Sequence, residues 1–294
     1  MSSSPRWDVE GRNWPNRAAS RFVDVGRLRW HVQITGPEAA PVLLLLHGTG
    51  AATHSWRDLA PLLATQFRVV APDLPGHGFT TGRPRHGLSM VAMARALGDL
   101  LTALDCNPAL IVGHSAGAAI GIRMALDGIA KPRAIVGLCA ALLPIPGLAG
   151  VLFPSLARML FVNPLAPHLF AQMARISGET NRFLARSTGS RIDATGIACY
   201  ESLLATPGHC AGAITMMADW DLPALRRDLA RLGVPLLLVH GAADAAIPLA
   251  DARHAATLVE GARLVPLPNL GHLAHEEQPA QVATIITEFA REFV

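Results

Sequence analysis

Gly113-His114-Ser115-Ala116-Gly117 follows the apolar run 109–112 and opens a stretch of small residues with helical character. A serine two residues from a glycine on either side, at a strand-to-helix turn, has the pattern of a nucleophile elbow. The turn is tight enough that glycine is needed where neighbouring side chains would collide. A serine hydroxyl alone is a weak nucleophile near neutral pH; it requires a base, and the base an orienting acid. Val234-Pro-Leu-Leu-Leu-Val-His240 reads as a buried strand with Asp244 just beyond its carboxyl end. A second apolar segment, 262–267, leads into Pro268-Asn-Leu-Gly-His272. The chain order Ser115, Asp244, His272 is the order this elbow type uses, unlike chymotrypsin or subtilisin. Any one of these residues could be a cap, a surface charge or a packed ring. Three in this order, each just past a strand, point to acyl transfer with Ser115 as nucleophile, His272 as base and Asp244 as orienting acid.

Acyl transfer also needs donors for a developing oxyanion. Residues 41–46 form another buried strand pattern, ending in His47-Gly48-Thr49-Gly50. Glycines let the backbone approach a ligand, so an N–H at Thr49 is expected to join that of Ala116 in an oxyanion hole. The helix opening at Ala116 adds its positive dipole end. His114 is expected to pack or hydrogen-bond locally rather than act as the base. His272-Leu-Ala-His275 has metal-compatible i, i+3 spacing, but no further motif completes a site, so neither metal nor cofactor is expected.

These stretches resemble the α/β-hydrolase family, and the likeness covers nearly the whole chain. Residues 67–71 followed by Pro72-Asp73-Leu-Pro-Gly76-His77-Gly78 look like that family's loop after the fourth strand, whose Asp and glycines shape the active-site floor. Within the family, the chain is similar to the magnesium-chelatase accessory hydrolases of bacteriochlorophyll biosynthesis. That likeness rests on Trp30-His-Val-Gln, Leu46-His-Gly-Thr-Gly-Ala-Ala-Thr-His-Ser-Trp-Arg-Asp-Leu59, Gly113-His-Ser-Ala-Gly-Ala-Ala119, Ala140-Ala-Leu-Leu-Pro-Ile-Pro-Gly-Leu-Ala149 and Gly271-His-Leu-Ala-His-Glu-Glu277. It implies a carboxylesterase-like enzyme acting on an ester or related acyl bond of an apolar, porphyrin-type small molecule, in contact with a magnesium-chelatase complex. A non-catalytic porphyrin-binding accessory protein is the alternative. Carbon–carbon bond hydrolysis by the same triad also stays open. Dehalogenases and epoxide hydrolases of this fold use an aspartate nucleophile, and the latter usually two tyrosines; here the elbow carries Ser115, and Tyr200 is the one tyrosine.

The elements that must hold these residues alternate along the chain. Residues 21–25 and 28–34 suggest a hairpin about Gly26. Strand patterns at 41–46, 67–71, 109–113, 133–139, 234–240 and 262–267 then alternate with helical ones near 55–65, 89–104, 115–127, 248–259 and 277–292. The expected fold is α/β: a mainly parallel eight-stranded sheet with helices on both faces and a helical lid insertion. Residues 1–139 and 231–294 would form the core and 140–230 the lid. The gap between strands is too long for an ordinary connection. From Ala134 to Ala174, Arg158 is the only Lys, Arg, Asp or Glu. Pro144, Pro146, Pro154, Pro164 and Pro167 argue against a spanning helix. A wide apolar pocket wall or a membrane-touching surface is favoured over simple core packing. Met159, Met173, Met216 and Met217 could conform to a planar ring.

Whole-chain properties agree with one compact enzyme of 294 residues. The net charge is +3, with basic residues scattered and arginine supplying all but Lys131, so no nucleic-acid partner is expected. Cys106, Cys139, Cys199 and Cys210 lack zinc or disulfide spacing and read as free thiols of a reducing compartment. Met1-Ser-Ser-Ser-Pro-Arg-Trp-Asp has no apolar run of a secretory signal. The expected location is therefore cytoplasmic, with peripheral contact at the inner membrane. The chain has no phosphate-cradling G-x-x-x-x-G-K-[ST] loop, so it cannot itself drive ATP-dependent metal insertion.

Overall fold

A computed structural model describes residues 4–144, 163 and 165–294. The remainder of the Ala140-to-Ala149 motif, Pro146, Pro154, Pro164, Arg158 and Met159 lie outside the described residues, as do the first three residues of the N-terminal stretch. The strands are β1 (Ser20–Val25), β2 (Leu28–Thr35), β3 (Val42–Leu46), β4 (Arg68–Pro72), β5 (Thr81–Gly82), β6 (Pro108–His114), β7 (Ala134–Leu138), β8 (Leu236–Gly241) and β9 (Arg263–Leu267). They form one sheet in the order β1-β2-β4-β3-β6-β7-β8-β9, with β5 added alongside β2. β2 pairs antiparallel with β1, β4 and β5, and every pair from β4 to β9 is parallel. The sheet is thus nine-stranded and mixed rather than eight-stranded. The extra strand is two exposed residues long, too short for alternation to mark it.

Side-chain alternation explains why both faces are covered. Leu44, Leu46, Ile111, Ile135 and Leu238 point to one face, where they pack with Met93, Leu97, Leu100 and Ile120. Leu43, Leu45, Val112, Val136 and Val239 point to the other, against Trp56, Leu59, Leu63, Val282 and Phe289. The helix expected near 55–65 divides into a 3-10 turn, Thr53–Trp56, and a short helix, Leu59–Leu63, with Pro61 in its first turn where no N–H is needed. The last helix begins at Pro279, behind a separate turn Ala274–Glu277; Gln278, preceding proline, leaves the helical region at φ −137° and ψ 66°.

Between β7 and β8 the described residues form the helices Ala166–Ala174, Glu179–Thr188, Ala194–Leu204, Pro207–Ala218 and Leu222–Asp228. None of the described helices is long and apolar enough to cross a membrane. Pro207–Ala218 comes very close to the loop after β4. A Cβ on Gly212 would lie 1.9 Å from the Gly76 carbonyl oxygen. At the amino end, Trp14 donates its indole N–H to Thr53 Oγ1 at 2.9 Å and stands edge-on to His54 and Phe79. Trp7 packs against His31 and Phe79. All four cysteines are free and buried.

Candidate active site

Ser115 links β6, at the centre of the sheet, to the helix Ala116–Leu126. Its φ of 49° and ψ of −113° lie where L-residues are strained. The flanking glycines are sterically required. A Cβ on Gly113 would meet Ala118 N at 2.3 Å, and one on Gly117 would meet Leu46 O at 2.0 Å. The Ser115 amide donates to Leu138 O at 2.9 Å, and its carbonyl accepts from Ala118 and Ala141. These bonds pin the turn from both sides while the side chain leaves the helix uncapped. Ala116 is the first residue of the helix and is buried.

Asp244 lies three residues past β8. Its Oδ1 accepts the amides of Ala246 and Ile247 at 2.8 and 2.9 Å, an Asx-type turn that fixes the carboxylate. Its Oδ2 accepts from His272 Nδ1 at 2.7 Å, with the carboxylate wholly buried. An Nδ1–H donating to a carboxylate leaves Nε2 of His272 as the free base. His272 sits in the loop after β9, its amide donating to Thr188 O at 2.8 Å. Its carbonyl accepts from His114 Nε2 at 3.0 Å. The ring next to Ser115 in sequence therefore ties the elbow to the histidine loop. Burial, with His275 and His272 nearby, holds His114 well below the ordinary imidazole value, so it stays neutral and keeps that donor role.

His47-Gly48-Thr49-Gly50 faces the elbow: a Cβ on Gly48 would sit 3.1 Å from the Ser115 Cβ. His47 locks the loop, its Nδ1–H donating to Gly48 O and its Nε2 accepting from the Leu74 amide, both at 2.8 Å. Gly50 takes a φ of 77°. His209, on Pro207–Ala218, donates through Nε2 to Gly50 O at 3.0 Å and accepts the Gly78 amide on Nδ1 at 3.1 Å. Burial lowers its pKa to about 4, which preserves the neutral ring both bonds need. Thr49 Oγ1 lies 3.5 Å from Met216 Sδ. Met216 is buried and Met217 half-buried, whereas Met173 is on the outside, 53% exposed.

Several further buried polar residues support the site, and of these the sequence marked only Asp73 for such a role. Asp73 accepts from His31 Nδ1 and from the amides of Thr53 and Phe79 at 2.7–2.8 Å. Burial alone would raise its pKa; His31, His47 and the Phe79 amide reverse this and hold the carboxyl below the usual range. Glu276, buried beside His275, accepts from Ser55, Tyr200 and Arg57, and Arg57 also bridges to Asp193. Burial is the main reason Glu276 titrates above the ordinary value, against Arg57 and its hydrogen bonds. Tyr200 is thereby committed to structure, its hydroxyl pushed well up by burial and Glu276. His275 Nε2 bonds Ser55 Oγ at 2.9 Å, so His272 and His275 direct ring nitrogens to different partners. The one metal-ligand grouping among the described residues is Cys139, His240 and Asp244, with candidate ligand atoms within 4.8 Å of one another. Burial and Asp244 push the Cys139 thiol up, keeping it protonated. His240 Nε2 donates to Ile247 O at 2.9 Å and lies 3.4 Å from Asp244 Oδ2. Both read as supports of the carboxylate. Only their polar type within apolar strands could have flagged them.

Comparison with known proteins gives the family and the fold. The model of the alpha/beta hydrolase family matches residues 43–285. The chain is 42% identical over 273 residues to the magnesium-chelatase 30 kDa subunit of Rhodobacter capsulatus, covering 90% of this chain and 92% of that one. It is 30% identical to a pimeloyl-[acyl-carrier protein] methyl ester esterase of Aromatoleum aromaticum, over 85% of this chain and 98% of the other. A thermophilic esterase from Thermogutta terrifontis superposes with a TM-score of 0.73 at 23% identity, over 92% and 98% of the two chains. That last likeness is one of fold.

Proposed function

The chain belongs to the alpha/beta hydrolase family, and from that membership we propose that it is a serine hydrolase cleaving an ester of an apolar, porphyrin-type molecule. The observation that carries the proposal is the 2.7 Å contact of His272 with buried Asp244, alongside a serine held in a strained turn. Ser115 Oγ attacks the ester carbonyl as its proton passes to His272 Nε2. The imidazolium is stabilised by Asp244, and the amides of Thr49 and Ala116 hold the tetrahedral oxyanion. His272 then protonates the leaving alcohol, and water, activated by the same ring, hydrolyses the acyl-enzyme. Residues 140–230 act as the lid over this site. His209 and Met216 support that role, since both touch the loop carrying Thr49 or its neighbour Gly50.

Similarity to a magnesium-chelatase subunit supports the porphyrin assignment and a place beside bacteriochlorophyll biosynthesis. Similarity to a methyl ester esterase supports the bond type. Ser115→Ala is expected to lower kcat on a model ester by about a million-fold and to abolish fluorophosphonate labelling. Full activity in that variant would overturn the nucleophile. Incubation with porphyrin methyl esters, read by mass spectrometry for loss of the ester group, tests the substrate. The chelatase likeness also favours a second reading, a non-catalytic porphyrin carrier for the chelatase complex. Porphyrin binding by Ser115→Ala, with no turnover by the parent protein, would select it.

A further inference from the structure

Nine large apolar side chains are exposed among the described residues, and six of them fall between Leu165 and Phe183. Leu165, Leu169, Phe170, Met173, Ile176 and Phe183 are 43–64% exposed. Three of them, Leu169, Phe170 and Met173, lie on the helix Ala166–Ala174, whose pattern is inverted relative to a normal surface helix. Ala166 and Ala171 face inward, while Leu165, Leu169 and Met173, four residues apart, form an outward stripe. A contiguous apolar stripe of this kind marks an interaction surface. Its setting is cationic. Residues 165–191 hold Arg175, Arg182, Arg186 and Arg191, all exposed, against Glu179 alone, a net +3 from four positive and one negative charge. Two copies of such a face would repel each other.

We propose that this face docks on the surface of an anionic phospholipid bilayer. The apolar stripe enters the headgroup–acyl boundary while the arginines meet phosphate headgroups. The chain then lies on the bilayer without spanning it, consistent with the lengths of the described helices. The proposal goes beyond the hydrolase reading and does not depend on it, since Ser115→Ala should bind lipid like the parent.

The test is co-sedimentation of the full chain with phosphatidylcholine vesicles and with mixed phosphatidylcholine–phosphatidylglycerol vesicles. Binding is expected to the mixed vesicles and to fall as salt screens the headgroups. Leu169→Gln/Phe170→Gln/Ile176→Gln should reduce partition at least about tenfold, with thermal unfolding unchanged. Arg186→Gln/Arg191→Gln should narrow the difference between the two vesicle types. The proposal is overturned if the parent binds neither vesicle, or both equally at every salt concentration. It is also overturned if ultracentrifugation finds a parent dimer that the triple variant splits.

Discussion

Ser115 adopts a backbone conformation that typically costs about 1–3 kcal/mol, and amide bonds from Ala118, Ala141 and to Leu138 hold it there. If Asp244 selects the imidazole tautomer, Asp244→Asn should lower kcat by about ten-thousand-fold. A carboxamide of the same shape can offer N–H where the ring needs an acceptor. Stopped-flow ester hydrolysis alongside near-UV circular dichroism separates this loss from misfolding. That Ser115, Asp244 and His272 each sit just past a strand was legible because each follows an apolar run. His114 was read as a packed or hydrogen-bonded ring, but its partner was not legible, nor were the roles of His240 and Cys139. A buried imidazole or thiol looks the same in sequence whether it fills space or braces a carboxylate, and only the bonds to His272 O and Ile247 O distinguish the two.

The strands other than β5 were read to within two residues at each end, because alternation between two packed faces leaves a period in the chain. The helices between β7 and β8 carry a weaker imprint. How Pro207–Ala218 seats on the loop after β4 depends on backbone contact between Gly76 and Gly212, distant in sequence and without side chains to betray it. That contact makes a sharp prediction. Gly212→Ala forces the helix away from Gly76 and should cost about 1–3 kcal/mol, lowering Tm by about 2–4 °C per kcal/mol. If the helix also steadies the Thr49 loop through His209, kcat should drop as well, whereas Gly233→Ala, with open space around it, should leave both unchanged. Differential scanning calorimetry and ester kinetics on the two variants provide the measurement.

Across the molecule, His47, His54, His77, His114, His209, His240 and His275 are all depressed below the ordinary imidazole value, burial being the largest cause in each. Such rings are neutral in both states above about pH 6.5, where their contribution to stability is complete. As pH falls below that value the unfolded chain takes up protons that the folded chain refuses. Stability then declines down to the folded values, about 4 for His209 and about 3 for His275. Each such proton steepens the decline by about 1.4 kcal/mol per pH unit. Urea midpoints at pH values of about 7.5, 6 and 5 should therefore drop progressively; a flat profile would mean these rings are solvated.

Trp7 and Trp14 bear on that experiment directly. They lie against His31, His54 and Phe79, and Trp14 is bonded to Thr53, four residues beyond Thr49. The molecule thus carries its own optical gauge. Comparing the parent with Trp7→Phe and Trp14→Phe separates their emission from that of Trp30, Trp56 and Trp220, so any loosening behind the Thr49 loop can be followed in unlabelled protein.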